Sequence, residues 1–440
     1  MKKIALDIFR AALDAVDPYD AVRRHTTRII SVYRDGRFTR LYAVSIGKAA
    51  FPMMHAAADD LGNRIERGIV LTKYGHAEKG VLPGHITVLE AGHPVPDENG
   101  LFAAHQILSM LDETDDRTLV LCLLSGGASA LLVAPYGSIT LAEKQQVTQL
   151  LLKAGADIFE LNTVRKHLSC VKGGRLAERA YPARVVSLIL SDVIGDPLDV
   201  IASGPTAPDA STYENAFAVI RKYGLEDRAP KAVLQLLRDG SNGAVPETPK
   251  RDDPMFARVE NTIIGSNRKA TEAAQKRAQE LGFEATILGC EFQGEASDVG
   301  RMLAQKALAA RREMAGNNNK KICLIAGGET TVKVKGNGLG GRNMEMALVV
   351  AQEIAGSDGI TFLSAGTDGT DGPTDAAGAV VNGTTIDEAR TAGLDPDSYL
   401  SNNNSYNFFK PINGLIITGP TGTNVMDVHI VLIAGGAKTM

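Results

Sequence analysis

Two α/β domains built on mostly parallel sheets are what this sequence predicts, on three observations. The chain has 440 residues, more than one hydrophobic core usually organises. Short apolar runs of strand length alternate with helical patterns, and runs without polar alternation point to strands covered on both faces, as in parallel sheets. The 45 glycines exceed the average share of about 7%, which suits many tight strand-to-helix turns.

The opening stretch, MKKIALDIFRAALDAVDPY, carries acids among its apolar positions and reads as an amphipathic helix rather than a signal peptide. Residues 41–46, 68–71, 86–89, 119–124 and 185–190 read as buried strands, and residues 261–264, 285–288, 322–325, 360–363, 414–417 and 429–433 repeat the habit. Between the two sets, residues 240–254 are polar and hold three prolines and two glycines, as a linker would. The predicted domains are therefore 1–245 and 255–440. The NNNK tract near Asn317 and the SNNNS tract at Ser401 read as exposed loops.

A formal net charge of −4 without a basic stripe argues against nucleic-acid partners. No apolar run approaches the roughly 20 residues of a membrane span. The four cysteines lack zinc-site spacing or a disulfide framework, so a reducing compartment, the cytoplasm, is expected. The oligomeric state stays open, a homodimer included.

Ligands of open α/β sheets bind at the carboxyl ends of strands, so the residues that end the apolar runs are the candidates for chemistry. In Ser45-Ile46-Gly47-Lys48-Ala49-Ala50 a strand stops at a glycine and Lys48 opens the next helix. Lysine there opposes the helix dipole, which favours a phosphate partner over a plain surface position. In Ser125-Gly126-Gly127-Ala128-Ser129 a glycine turn leads into a helix, and its N–H groups with two hydroxyls can cradle an anion. A turn that serves geometry alone is the alternative, and no GxxxxGK[ST] motif occurs. Between positions 165 and 175 stand Arg165, Lys166, His167, Lys172 and Arg175; Arg165 and Lys172 can hold a carboxylate or phosphate, against the alternative of a solvated helix face. Asp192 follows a buried strand and suits a base or a cation ligand.

In the second half, Gly327-Gly328-Glu329-Thr330-Thr331 ends one strand, and Gly336-Asn337-Gly338-Leu339-Gly340-Gly341-Arg342-Asn343 opens a helix. Gly336, Gly338 and Gly341 satisfy the GxGxxG pattern of dinucleotide-binding enzymes. Only a brief strand, 332–335, precedes it, and no acidic residue ends the next strand about 20 positions on, which weakens that match. The loop from Ser364 to Asp375 holds Asp368, Asp371 and Asp375; oxygen-rich loops suit magnesium, although Asp and Gly are also ordinary turn residues. Glu329, Thr330, Gly340, Asn343 and Asp368 join Arg342 as candidate nucleotide-binding residues, while His93 reads as structural.

Taken together, SIGKAA, AGHPVPD, LLSGGASALL, NTVRKHLSCVKGGRLA, SDVIGDPLDVIASGPT, AGGETTVKVKGNGLGGRNMEMAL, SAGTDGTDGPTDAAGA and TGPTGTNVMD resemble the glycerate 2-kinase family over nearly the whole chain. The resemblance implies an N-terminal Rossmann-like domain facing a smaller C-terminal α/β MOFRL domain. It implies ATP and Mg2+ as cosubstrates, glycerate as acceptor and 2-phosphoglycerate as product. The family's essential lysine falls on Lys48 and its essential arginine on Arg342. The Ser125–Gly126–Gly127–Ala128–Ser129 turn and the Asp192 segment match its substrate- and phosphate-binding elements, with Asp192 and Asp368 as candidate metal ligands.

Phosphoryl transfer rests on charge neutralisation and in-line positioning, which a lysine and an arginine can supply. Domain approach about the linker would complete such a site and exclude water. An NAD(P)-dependent hydroxypyruvate reductase built on Gly336 to Gly341, and a non-catalytic nucleotide sensor, are the competing readings.

Overall fold

The computed structural model describes residues 1–77, 81–314 and 319–435, which leaves Asn317 and Asn318 of the NNNK tract outside the described residues. The chain forms two units, one of Pro18–Ser191 with Asp196–Ile264, the other of Met1–Asp17, Asp192–Gly195 and Gly265–Met440.

The first unit holds β1 (Arg40–Ile46), β2 (Ile65–Lys73), β3 (Ile86–Ala91), β4 (Thr118–Leu124), β5 (Arg184–Leu190) and β6 (Val259–Gly265), in the order β3-β2-β1-β4-β5-β6. Strand β1 runs parallel to both β2 and β4, β2 to β3, and β4 to β5. Every residue of β4 is buried, as its uninterrupted TLVLCLL demands of a strand covered on both faces. This is the Rossmann order, in which the chain leaves β1 toward one edge and returns on its other side with β4. The loops after β1 and β4 therefore lie side by side at the switch point, where such sheets bind ligands.

The second unit holds β7 (Glu284–Phe292), β8 (Lys321–Gly328), β9 (Ile360–Gly366), β10 (Gly378–Asn382), β11 (Leu415–Ile416) and β12 (Asp427–Ala434), in the order β11-β10-β9-β12-β8-β7. The expectation of mostly parallel sheets fails here. Only β7 and β8 are parallel; β12 is antiparallel to both β8 and β9, and β10 to both β9 and β11. Continuous apolar sequence reports coverage of both faces, and β9 and β12 are buried on both faces whatever their direction. The eleven strands predicted as buried are all present; β10 was not anticipated, and the separate brief strand expected at 332–335 is absent.

Two boundaries also move. Residues 240–254 do not form a free linker: Gly240 lies in the helix Lys231–Ser241, the Pro246 carbonyl accepts from Arg175, and buried Thr248 donates to Asp209. The segment then leads into β6 of the first sheet, and the chain leaves that unit after Ile264. Proline and polar residues look alike in a linker and in a loop held by buried groups, so composition could not separate them. At the other end, the helix Lys2–Ala15 turns the stripe Ala5, Ile8, Phe9 and Ala12 inward. It belongs to the second unit, where Asp7 pairs with Arg277 and the Thr423 hydroxyl donates to the Val16 carbonyl.

Candidate active site

At the switch point the Lys48 amide donates to the Gly126 carbonyl at 2.9 Å, and the Ala49 amide to Ser125 Oγ at 3.1 Å. Ser125 is thereby buried as the tie between the two loops, and Ala128 is buried as well. The helix that follows spans only Ala128–Leu131, a single turn. Gly127 adopts φ 85°, and a Cβ there would sit 3.1–3.2 Å from the His93 ring and from Lys48 Cγ. Glycine at 127 thus meets both a left-handed conformation and a close approach. Half-buried Lys48 has no side-chain partner among the described residues.

Beside this turn lies a cavity of about 380 Å³ whose wall includes His93, Gly127, Ser129, Lys144, Arg165 and Lys172, and no Asp or Glu. Arg165 makes no ion pair or hydrogen bond among the described residues, and burial lowers its pKa. Lys172 is buried and donates to the Ser129 carbonyl at 2.7 Å and to its hydroxyl at 3.2 Å. Burial, then Lys144 and Arg165, hold Lys172 well below the ordinary lysine range. Burial, with Arg165 and Arg175 adding to it, lowers Lys144 to about 7, and its ammonium donates to the Leu168 carbonyl. Buried cations without carboxylates are costly, and an anion in the cavity relieves that cost.

The solvated-face alternative for residues 165–175 does not hold. Lys166 is buried in ion pairs with Asp199 and Asp209, His167 packs edge-on against Tyr213, and Arg175 donates to Ser169, Tyr213 and Pro246. Those three anchor the unit, while Arg165 and Lys172 reach the cavity. Lys144 was missed, although it falls on the buried stripe of its helix with Leu141, Val147 and Leu151, and a lysine on such a stripe is the available signal.

In the second unit Arg342 is the first residue of the helix Arg342–Glu353. Its Nε and Nη2 donate to the two oxygens of Asp427 at 2.6 and 3.0 Å, and Nη1 lies 3.1 Å from Glu329. Burial opposes the charge of Arg342, but the Asp427 and Glu329 carboxylates outweigh it and raise the guanidinium pKa. Glu329 is raised by burial and, after the opposing pull of Arg342, by Asp427, Asp192 and Asp368. A cavity of about 710 Å³ carries Glu329, Thr330, Gly340 and Arg342 on its wall, and the Thr330 hydroxyl is buried there without a partner among the described residues. Asp427 was not anticipated; an acidic residue entering a buried strand is the signal that marked it.

Two expectations change. Asn343 is not presented to a ligand: it is buried, its amide nitrogen donates to Asp371 and Asp427, and its oxygen accepts from Ser364. The three loop carboxylates also part company. Asp371 accepts from the Asn343 and Met344 amides and so caps the helix of Arg342, and burial raises it to about 7. Asp375 accepts from Tyr406, and Asp368 folds back on the Thr370 amide. Among the described residues no group of three His, Cys, Asp or Glu is arranged to hold a metal ion by itself.

The GxGxxG turn is accounted for by packing. The amides of Lys335, Gly336, Asn337, Gly338 and Leu339 donate to Asn402, Asn403 and Asn404. A Cβ on Gly338 would lie 2.4 Å from the Asn402 carbonyl and from Asn404 Cβ. These donors are therefore turned to the SNNNS tract rather than toward a pyrophosphate, and that tract, exposed at Ser401 and Asn402 as expected, is also their partner strap.

A model described as a domain of unknown function, DUF4147, matches residues 4–238, and the MOFRL family model matches residues 322–427. A D-glycerate 2-kinase of Thermotoga maritima is 45% identical over 438 residues, 98% of each chain. The chain belongs to the glycerate 2-kinase family. A glycerate 2-kinase of Pyrococcus horikoshii is 40% identical, over 98% of this chain and 97% of the relative. Among solved structures of the family, a crystal structure of a glycerate kinase from Thermotoga maritima superposes with TM-score 0.90 at 45% identity, covering 98% of this chain and 99% of that one. Among the described residues, no helix is long and apolar enough to cross a membrane.

Proposed function

We propose that this chain is an ATP-dependent kinase that phosphorylates the 2-hydroxyl of D-glycerate, giving 2-phosphoglycerate and ADP. The observation that carries the reading is the carboxylate-free cationic cavity beside Lys48 at the switch point of the first sheet. A small hydroxy acid needs such an anion seat: Arg165, Lys172 and Ser129 hold its carboxylate, and the hydroxyl is left toward Gly127. Lys48 neutralises charge on the transferred phosphoryl group, as a transition state with charge spread over three oxygens requires.

Arg342 serves the nucleotide phosphates or the transferred group, with Asp427 fixing the plane of its guanidinium. Glu329, Thr330 and Gly340 line the same wall. Magnesium that accompanies a nucleotide keeps mostly phosphate and water ligands and needs only one or two carboxylates, which fits Asp192 and Asp368 even without a complete protein cage. When bound it supplies further charge neutralisation on the phosphates.

The test is an ATP-coupled assay with D-glycerate, with phosphorus NMR to separate 2- from 3-phosphoglycerate. Formation of 2-phosphoglycerate without NADH or NADPH oxidation in the presence of hydroxypyruvate is the expected result. Turnover of a nicotinamide cofactor, or ATP binding without any hydroxy-acid turnover, defeats the reading.

A further inference from the structure

Within the kinase reading, on which this inference rests, we infer that His93 is the general base that takes the proton of the acceptor hydroxyl. Its ring and Lys48 meet at Gly127: the position of a Cβ on Gly127 is 3.2 Å from both His93 Nε2 and Lys48 Cγ. Its ring also lines the cavity that Arg165, Lys172 and Ser129 close at other positions. An acid held by its carboxylate on those groups carries its 2-hydroxyl one carbon away, toward Gly127 and the imidazole.

The other groups of the wall are unsuited to the task. Arg165 stays protonated at any working pH. Lys144 and Lys172 direct their amines to the Leu168 and Ser129 carbonyls, and Gln145, Thr148 and Gln149 are not bases. Asp192, a base candidate by sequence, is among the carboxylates that raise Glu329 and is assigned to magnesium in the proposed function. The ring nitrogens of His93 carry no hydrogen bond among the described residues, so a lone pair is available. Burial first, then Lys48, Lys73 and His76, lower His93 to about 4, which keeps the ring neutral at neutral pH.

The step balances. The hydroxyl proton passes to an imidazole nitrogen as the bond from O2 to the γ-phosphorus forms. The bond from that phosphorus to the bridging oxygen breaks, its electron pair leaves with ADP, and the imidazolium returns its proton to water. Lys48, which also approaches Gly127, neutralises the phosphoryl oxygens and is not needed as base.

The experiment compares the full-length parent with His93→Gln and His93→Ala, using D-glycerate and ATP-Mg. Positioned general bases contribute about 10²–10⁴-fold, so kcat should fall by that factor in His93→Gln, with little change in KM for ATP and an unchanged thermal midpoint. Added imidazole should restore part of the activity of His93→Ala, which a merely structural histidine would not allow. As a check that needs no variant, diethylpyrocarbonate should modify His93 in the parent, abolish turnover and be held off by D-glycerate. Near-parental kcat in folded His93→Gln, or His93 modified with turnover intact, overturns the inference while leaving the kinase reading standing. A parent that makes no 2-phosphoglycerate defeats the kinase reading itself.

Discussion

Arg165 and Arg342 are both partly buried guanidinium groups, yet they live under opposite electrostatic regimes. Arg342 is held along its Nε–Nη2 edge by both oxygens of Asp427, and its Nη1 meets Glu329. Arg165 shares a cavity with two lysines and no carboxylate. A compensated cation is held in one orientation and costs little to keep; an uncompensated one is a seat waiting for an anion, because the ligand supplies the missing charge. The first arrangement suits a donor that must be aimed at a developing charge, the second a group that selects and retains an anionic substrate. If that distinction is right, substitutions in the two regions must fail in different kinetic parameters.

The sharpest break is at Lys48, the cation nearest the turn between the two switch-point loops. A cation on the transferred phosphoryl group is worth about 10³–10⁵ in kcat, so Lys48→Ala should lose at least about 10³-fold and keep its unfolding midpoint. Steady-state kinetics beside thermal unfolding decide it, and an unchanged kcat removes Lys48 from the chemistry. Arg342→Lys comes next. A lysine keeps the charge but cannot reproduce the two-pronged contact with Asp427, and roughly 2–4 kcal/mol of transition-state stabilisation should go, about 10²–10³ in kcat. Near-parental kcat in both Arg342→Lys and Arg342→Ala would remove the aimed-donor role. Arg165→Met should instead act on substrate retention: loss of a charge-assisted contact worth about 1.5–3 kcal/mol raises KM for D-glycerate about 10- to 100-fold and spares KM for ATP. A fall in kcat alone would show that the cavity does not seat the carboxylate.

Sequence reading reached the switch-point loops because their residues sit at the ends of apolar runs, and chain order alone brings 45–50 and 125–129 to neighbouring strand ends. It could not tell Arg165 from Lys166, adjacent in sequence and alike in charge. Only the helix geometry sends one into the cavity and the other into a buried pair with Asp209. Asn343 and Asp371 stand in glycine-rich loops that advertise ligand binding, and both turn out to hold the helix that carries Arg342. His93 gave no periodic or charge signal, since its placement against Gly127 depends on a contact between two loops that are distant in the chain.

The smallest expected effect tests the glycine-rich turn, where sequence motif and structure diverge most. If Gly336, Gly338 and Gly341 served a dinucleotide, a methyl group at Gly338 would obstruct the cofactor and leave the fold alone. In the structure that methyl meets the Asn402 carbonyl and Asn404 Cβ at 2.4 Å, and the backbone on both sides is fixed by hydrogen bonds that the asparagines accept. Gly338→Ala should therefore cost about 1–3 kcal/mol of stability, the range for forcing an extra carbon into a packed site, and the loss should appear as a lower urea midpoint. Gly84→Ala, where nothing lies within 4 Å of the added carbon, is the control and should stay within about 0.5 kcal/mol of the parent. Because the strap of Asn402 to Asn404 packs beside Glu345 through Asn403, one turn along the helix from Arg342, a modest fall in kcat is compatible with this account. Unchanged stability together with a raised KM for the nucleotide is not, and would return the turn to ligand binding.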